Sequence, residues 1–223
     1  MAGLTLEQKR LKKRYIKELN ASEGVDKGMI QESIVNYINP EIDYRDKVCL
    51  DLGTNIGAFI KISIDQGARM TYGIECDMRN YNIASNNFAT EIKASVTLAA
   101  VSGTTQDTLK IYKSNAKSNH SSTSIIKRRG TFTEYDEVKN YHIDTLLNQV
   151  KPDIVKIDIE GAEYDIIESV LDYQPDVLFI ELHGNDDRAK SVIQRFTETY
   201  PKNKVEEIII FQKVGGYDCL FYK

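Results

Sequence analysis

The chain has few of the features that would place it in a membrane, outside a cell or on long nucleic acid. Nowhere in its 223 residues does an apolar run approach the roughly 18 residues of a membrane span. Its start is basic, but no apolar segment follows those charges, so no secretory signal is expected. Only three cysteines occur, Cys49, Cys76 and Cys219. Their odd number and wide spacing fit neither a zinc pattern nor a disulfide framework, and suit a reducing, cytoplasmic setting. There is no internal repeat and no low-complexity tail. Charge of one sign is not in large excess: 29 Lys and Arg face 33 Asp and Glu, a net charge of −4 with pI near 5.5. That balance disfavours generic binding to long nucleic acid and leaves room for local anion-binding patches. The remainder, 28% charged and 41% hydrophobic, is ordinary for a globular protein. The length suits one domain with a full core.

What is present is organised around Val48-Cys49-Leu50-Asp51-Leu52-Gly53-Thr54-Asn55-Ile56-Gly57-Ala58-Phe59. An apolar run of strand type meets an acid, then two glycines, then a helical pattern at Phe59, Ile60 and Ile64. This predicts a buried strand, a tight turn and a helix start, the first βα unit of a nucleotide-binding α/β sheet. Gly53 and Gly57 lack a Cβ, so a ligand is expected to approach the turn closely. The spacing is Asp-x-Gly-x-Asn-x-Gly, and Asn55 breaks the Gly-x-Gly-x-x-Gly of a dinucleotide fingerprint. A polar residue there suits a ligand with amino and carboxylate groups better than a pyrophosphate. A second strand, Met70 to Ile74, ends at Glu75, 24 residues after Asp51. An acid at that point is placed to accept bonds from both hydroxyls of a ribose.

Thr5-Leu6-Glu7-Gln8 reads as a capping box opening a first helix, with Leu4, Leu11, Tyr15, Ile16 and Leu19 on one face and a basic face opposite. That basic face reads as solvated surface or as a docking site for an acidic partner. A second helix is expected over Met29 to Ile38, with Ile30, Ile34, Val35 and Ile38 inward, stopped by Asn39-Pro40. After a helix over Arg79 to Thr90, a third strand is expected over Ser95 to Ala100, with Val101-Ser102-Gly103 beside the ligand's base. The βα rhythm then breaks. Leu109 to Tyr112 and Val138 to Ile143 read as strands around a polar loop, and from Thr108 to Thr133 there are six cations and no acid. An insertion of this kind is expected to act as a lid or substrate-binding element and to suit an anionic acceptor.

The rhythm resumes at Asp153 to Glu163, where Asp158, Glu160 and Glu163 crowd the carboxyl end of a strand. Asp158 and Glu160, two apart, point the same way along an extended strand. Glu163 reads as a complement to the next helix's N-terminus, and Lys156, inside a strand expected to be buried, as the partner of an acid. Asp176 to Leu182 forms another strand, ending Glu181-Leu182-His183-Gly184. A helix over Arg188 to Tyr200 follows, then a strand pair, Val205 to Phe211 and Tyr217 to Tyr222, joined at Gly215-Gly216.

Asp51 to Gly57, with Glu75, resembles the cofactor motif of Rossmann-like S-adenosylmethionine-dependent methyltransferases. His142-Ile143-Asp144-Thr145-Leu146-Leu147, followed by Val155-Lys156-Ile157-Asp158-Ile159-Glu160-Gly161-Ala162-Glu163, resembles the FkbM family of these enzymes, with Ile-Asp in place of the family's Leu-Asp. The likeness covers about Lys47 to Lys223. It implies a mostly parallel seven-stranded α/β sheet with a C-terminal antiparallel hairpin, and O-methylation of a sugar or other small-molecule hydroxyl. It leaves residues 1–40 as an N-terminal helical extension on a methyltransferase domain of residues 41–223, with the insertion at 108–133.

The reading is therefore a cytoplasmic methyltransferase that uses S-adenosylmethionine. Its candidate cofactor-binding residues are Asp51, Gly53, Thr54, Asn55, Gly57, Glu75, Cys76, Val101 and Asp158; its candidate catalytic residues are His183, Glu181, Asp158 and Glu160. In one arrangement His183 is the general base and a carboxylate orients its other nitrogen. In a second, Asp158, Glu181 and His183 hold a divalent ion that acidifies the acceptor hydroxyl. In a third, His183 only caps the following helix and Glu181 pairs with Lys156. The rival functions are an RNA 2′-O-methyltransferase, favoured by the basic stretch from Lys110 to Arg129; a nicotinamide dehydrogenase, disfavoured by Asn55; and a non-catalytic partner subunit, disfavoured by the intact turn. The oligomeric state is left open.

Overall fold

Most of the apolar runs fold into strands of a seven-stranded sheet with helices on both faces. The computed structural model describes residues 4–21, 25–112, 135–159, 162–184, 186–210 and 213–223. The expected lid segment from Ser114 to Arg129, and Glu160, lie outside the described residues. The strands are β1 (Val48–Leu52), β2 (Met70–Glu75), β3 (Ala94–Leu98), β4 (Ala100–Ser102), β5 (Thr108–Tyr112), β6 (Tyr135–His142), β7 (Ile154–Ile157), β8 (Val177–His183), β9 (Lys202–Ile210) and β10 (Lys213–Tyr222). The helices are α1 (Leu6–Glu18), α2 (Val25–Tyr37), α3 (Ala58–Asp65), α4 (Met78–Asn87), α5 (Ile143–Val150), α6 (Ile167–Tyr173) and α7 (Asp187–Thr199), with a 3₁₀ turn at Glu163–Asp165.

Seven strands pair in the order β3-β2-β1-β7-β8-β10-β9. β1, β2, β3, β7 and β8 are parallel to one another, and the β9–β10 hairpin closes the edge antiparallel. Strand alternation sends Leu50, Leu52, Val155, Ile157, Leu178 and Ile180 to one face, where they pack with residues of α5, α6 and α7. Cys49, Ile154, Val177 and Phe179 face the other way, toward Phe59 of α3 and Tyr37 of α2. Parallel strands covered on both faces read as unbroken apolar runs, and β1 is buried at every position. Among the described residues no helix is long and apolar enough to cross a membrane.

α1 opens with the expected capping box at Thr5 and Gln8. Its Tyr15, with Leu19 just after it, packs with Ile30 and Ile34 of α2 and Ile60 of α3. Four expectations change. Val35, expected inward, is 43% exposed. The single strand expected over Ser95 to Ala100 is two: the chain leaves the main sheet at Ala99, and β4 pairs with β6 in a three-stranded sheet ordered β4-β6-β5. Gly215-Gly216, expected to join the last two strands, lies inside β10, where the register shifts between Val214 and Gly216. The first segment after β7 is the 3₁₀ turn, and α6 begins only at Ile167.

Candidate active site

A cavity of about 240 Å³ opens at the carboxyl ends of β1, β2, β7 and β8, where the geometry of parallel sheets places ligands. The turn after β1 forms one wall. The amides of Gly53 and Thr54 both donate to the Ile74 carbonyl, at 3.0 and 3.1 Å, which ties the turn to β2. The Asn55 amide donates to Glu75 Oε2 and the Asp77 amide to Glu75 Oε1, each at 2.7 Å. Two backbone donors thus fix the Glu75 carboxylate at the cavity wall, and each oxygen keeps a further lone pair. Burial outweighs those two bonds and pushes the Glu75 carboxyl up to about 7.

The glycines act differently from the sequence expectation. A Cβ on Gly53 (φ +81) would lie 1.8 Å from the Asp158 carbonyl oxygen. The close approach there is made by the neighbouring strand end rather than by a ligand. Gly57 (φ +94) does not line the cavity, and a Cβ on it would meet the Phe88 ring at 2.3 Å. Gly57 therefore permits the left-handed N-cap of α3 and the seating of Phe88. Asp51 also stands behind the wall, fully buried, 3.2 Å from Lys156 Nζ. Lys156 Nζ also donates to the Gly53 carbonyl at 2.6 Å and lies 3.6 Å from Asp158 Oδ2. Burial works against this ammonium, but Asp51, Asp158 and Glu75 outweigh it and hold its pKa above the ordinary value. The lysine expected to pair with an acid pairs with two and braces the turn as well.

Thr54, Asn55, Cys76, Val101 and Asp158 line the cavity with Gly53 and Glu75, as does Glu181 from β8. His183 stands behind Glu181. Its Nε2 is 3.4 Å from Glu181 Oε1 and its Nδ1 is 2.7 Å from Glu163 Oε1. Glu163 was expected to complement a helix N-terminus; instead the 3₁₀ turn rotates it inward, where it is fully buried against the imidazole. Neither contact of the third arrangement forms: Asp186 caps α7, and Lys156 pairs with Asp51 and Asp158 rather than Glu181. Among the described residues no group of three or more His, Cys, Asp or Glu is placed to hold a metal ion.

Met29, Glu32, Ser33 and Asn36 of α2 line the cavity too, with Tyr37, and sequence reasoning missed them. Their positions are i, i+3, i+4 and i+7, a second helical stripe beside the buried one. Among the described residues the wall carries Glu32, Glu75, Asp158 and Glu181 against the single cation Lys156. Partial burial, and then Asp158, hold the Glu181 carboxyl above the usual carboxylate range. Such a wall suits a ligand that brings positive charge.

Comparison with known proteins identifies the family and the fold. Residues 51–219 match the family model described as the methyltransferase FkbM domain. A crystal structure of a putative RNA methyltransferase from Pyrococcus horikoshii superposes with TM-score 0.52 at 14% identity, over 98% of this chain and 98% of that one. The crystal structure of a methyltransferase FkbM from Methylobacillus flagellatus superposes with TM-score 0.52 at 12% identity, over 94% of this chain and 59% of that one. This chain thus spans less than two thirds of the Methylobacillus protein. At such identities the likeness speaks for a shared Rossmann-like fold. No curated protein matches.

Proposed function

The chain belongs to the FkbM methyltransferase family, and on that premise we propose that it transfers a methyl group from S-adenosylmethionine to a hydroxyl oxygen of a small-molecule acceptor. The observation that carries the cofactor assignment is the Glu75 carboxylate, held at the cavity wall by the Asn55 and Asp77 amides. That fixed pair of oxygens fits the two hydroxyls of a ribose. The excess of carboxylates on the wall fits a molecule with a sulfonium and an α-ammonium. When bound, S-adenosylmethionine supplies a methyl carbon already activated by its positive sulfur.

What is left to the protein is positioning and the acceptor's proton. Gly53, Thr54 and Asn55 hold the methionine part, and Cys76 and Val101 flank the base. Glu181 faces the cavity while His183 lies behind it, so Glu181 takes the proton of the acceptor hydroxyl. A positive charge beside it, which S-adenosylmethionine would bring, would lower the Glu181 pKa and ready it for that role. His183, held by Glu163, stabilises the charge on Glu181. The acceptor oxygen gains the methyl group and gives up its proton, and S-adenosylhomocysteine leaves. The acidic wall favours a small acceptor over a polyanionic RNA.

Calorimetry with S-adenosylmethionine, S-adenosylhomocysteine and NAD tests this reading. The two sulfur ligands are expected to bind and NAD is not. Glu75→Ala is expected to weaken binding by about 1–3 kcal/mol, the range for a lost charged hydrogen bond. Binding of NAD alone, or unchanged affinity in the variant, overturns the assignment.

A further inference from the structure

Beside the last turn of α2 lies a second cavity, of about 280 Å³. Asn36, Tyr37 and Glu181 line both cavities, so they stand at the junction between the two. The floor of the second is the sheet face of β8 and β10. Glu181 is paired with Asp218 and Phe179 with Leu220 across these antiparallel strands, which sets two carboxylates side by side on one face. Asn36 Nδ2 donates to Asp218 Oδ2 at 3.3 Å. Partial burial and the charge of Asp158 push the Asp218 carboxyl up to about 6. At the rim Glu206 is paired with Lys204 at 2.6 Å. Tyr37, Ile38, Phe179 and Leu220 supply apolar and aromatic wall.

Two carboxylates placed directly opposite on neighbouring strands destabilise one another unless one keeps its proton or a cation lies beside them. Aromatic rings beside carboxylates are the surroundings in which an organic ammonium is favoured over sodium or water. We propose that the second cavity receives the methyl acceptor, and that this acceptor is a hydroxyl compound carrying a protonated amine, which Asp218 holds beside the edge-packed rings of Tyr37 and Phe179. The acceptor's hydroxyl then reaches the first cavity past Glu181. This rests on the methyltransferase reading above and deepens it. The sign is opposite to the anionic acceptor expected from the basic stretch Ser114 to Arg129, which lies outside the described residues. α2 precedes the matched family segment, so this chain's own extension supplies part of the selectivity.

The test uses the full chain saturated with S-adenosylhomocysteine and titrated with glucosamine, N-acetylglucosamine, glucose and glucose 6-phosphate. These probes share a sugar and differ in charge. Glucosamine is expected to bind at least tenfold more tightly than the two neutral sugars, and less tightly as salt rises. Asp218→Asn is expected to remove that preference while S-adenosylhomocysteine binds as before, which also shows that the variant folds. Glu206→Gln, at the exposed rim, is expected to weaken the preference by a smaller factor. Equal or undetectable binding of glucosamine and the neutral sugars overturns the proposal, as does tighter binding of the phosphate or a preference that survives Asp218→Asn. Failure of S-adenosylhomocysteine to bind the unaltered chain overturns the methyltransferase reading itself; binding without an amine preference overturns only the proposal.

Discussion

Glu163 Oε1 lies 2.7 Å from His183 Nδ1, with the carboxylate wholly buried and the imidazole's other nitrogen 3.4 Å from Glu181. Two carboxylates thus bracket one ring, one sealed in the interior and one facing a cavity. A carboxylate on Nδ1 favours the imidazolium, and the imidazolium in turn opposes proton uptake by Glu181. This couples a residue sealed in the interior to the charge of one that faces the cavity.

Glu163→Gln keeps a hydrogen-bond acceptor for Nδ1 and removes the charge. Glu181 then retains its proton to higher pH. The expected outcome is a fall in kcat of about 10-fold to 100-fold, below the span of a direct acid–base residue, with the rising limb of the kcat–pH profile displaced to higher pH. Steady-state kinetics from about pH 6 to 9 check it, a window that spans the imidazole's ordinary range. A purely structural role would lower Tm and leave the profile in place.

Glu75 makes the ligand-free protein sensitive to pH. Its carboxyl sits at about 7 in the folded chain against an ordinary value of 4.5, so the folded state binds the proton more tightly than the unfolded one. The favourable contribution is complete below about pH 4.5 and is lost as the pH climbs through about 7, at up to about 1.4 kcal/mol per pH unit. Urea unfolding of the unaltered chain is expected to show lower stability at about pH 7.5 than at about pH 5.5, two points that span most of that loss. In Glu75→Gln the difference is expected to shrink. An identical difference in the two proteins would remove Glu75 as its source.

Much of this was legible because the relevant signals are local. The apolar run at Val48 to Leu52, the glycines after it and the acid at Glu75 each depend on neighbours in sequence, and the strand, turn and helix formed there. Family membership was legible in the same way, from the residues around Lys156 and Asp158. Glu163 was misread because the helix-dipole expectation assumes that a helix starts at once, whereas a 3₁₀ turn intervenes. Gly57 was misread because a missing Cβ says that something approaches, and only the fold says that it is Phe88. The role of α2 was hidden for a related reason. Its amphipathic pattern identified Ile30 and Ile34 as buried, while the stripe of Met29, Glu32, Ser33 and Asn36 reads as solvated surface until the cavity beneath it is seen.

Lys156 is the brace beneath the turn after β1, and removing it leaves Asp51 buried without its cation. Lys156→Met is expected to cost about 3–5 kcal/mol, the range for stranding one partner of a buried pair. Adding Asp51→Asn takes away the stranded charge and is expected to recover part of that loss. Urea denaturation of the single and double variants measures both. Additive losses would show that the pair does not act as a unit.

Gly57 offers a way to separate packing from ligand contact. Its φ is +94, and a Cβ added there would stand 2.3 Å from the Phe88 ring, so Gly57→Ala meets two penalties. The backbone strain costs on the order of 1–3 kcal/mol. The clash is with the edge of a ring, which a smaller side chain at position 88 relieves. Gly57→Ala is therefore expected to lower Tm and to weaken S-adenosylhomocysteine binding, because the start of α3 shifts and carries the amide of Asn55 away from Glu75. Gly57→Ala with Phe88→Leu is expected to regain part of both, although Phe88 itself does not line the cavity. If Gly57 instead touched the ligand, the second substitution would leave binding as weak as before. Calorimetry on the two proteins decides the matter, and recovery of affinity without any change at the cavity wall is the result that packing requires.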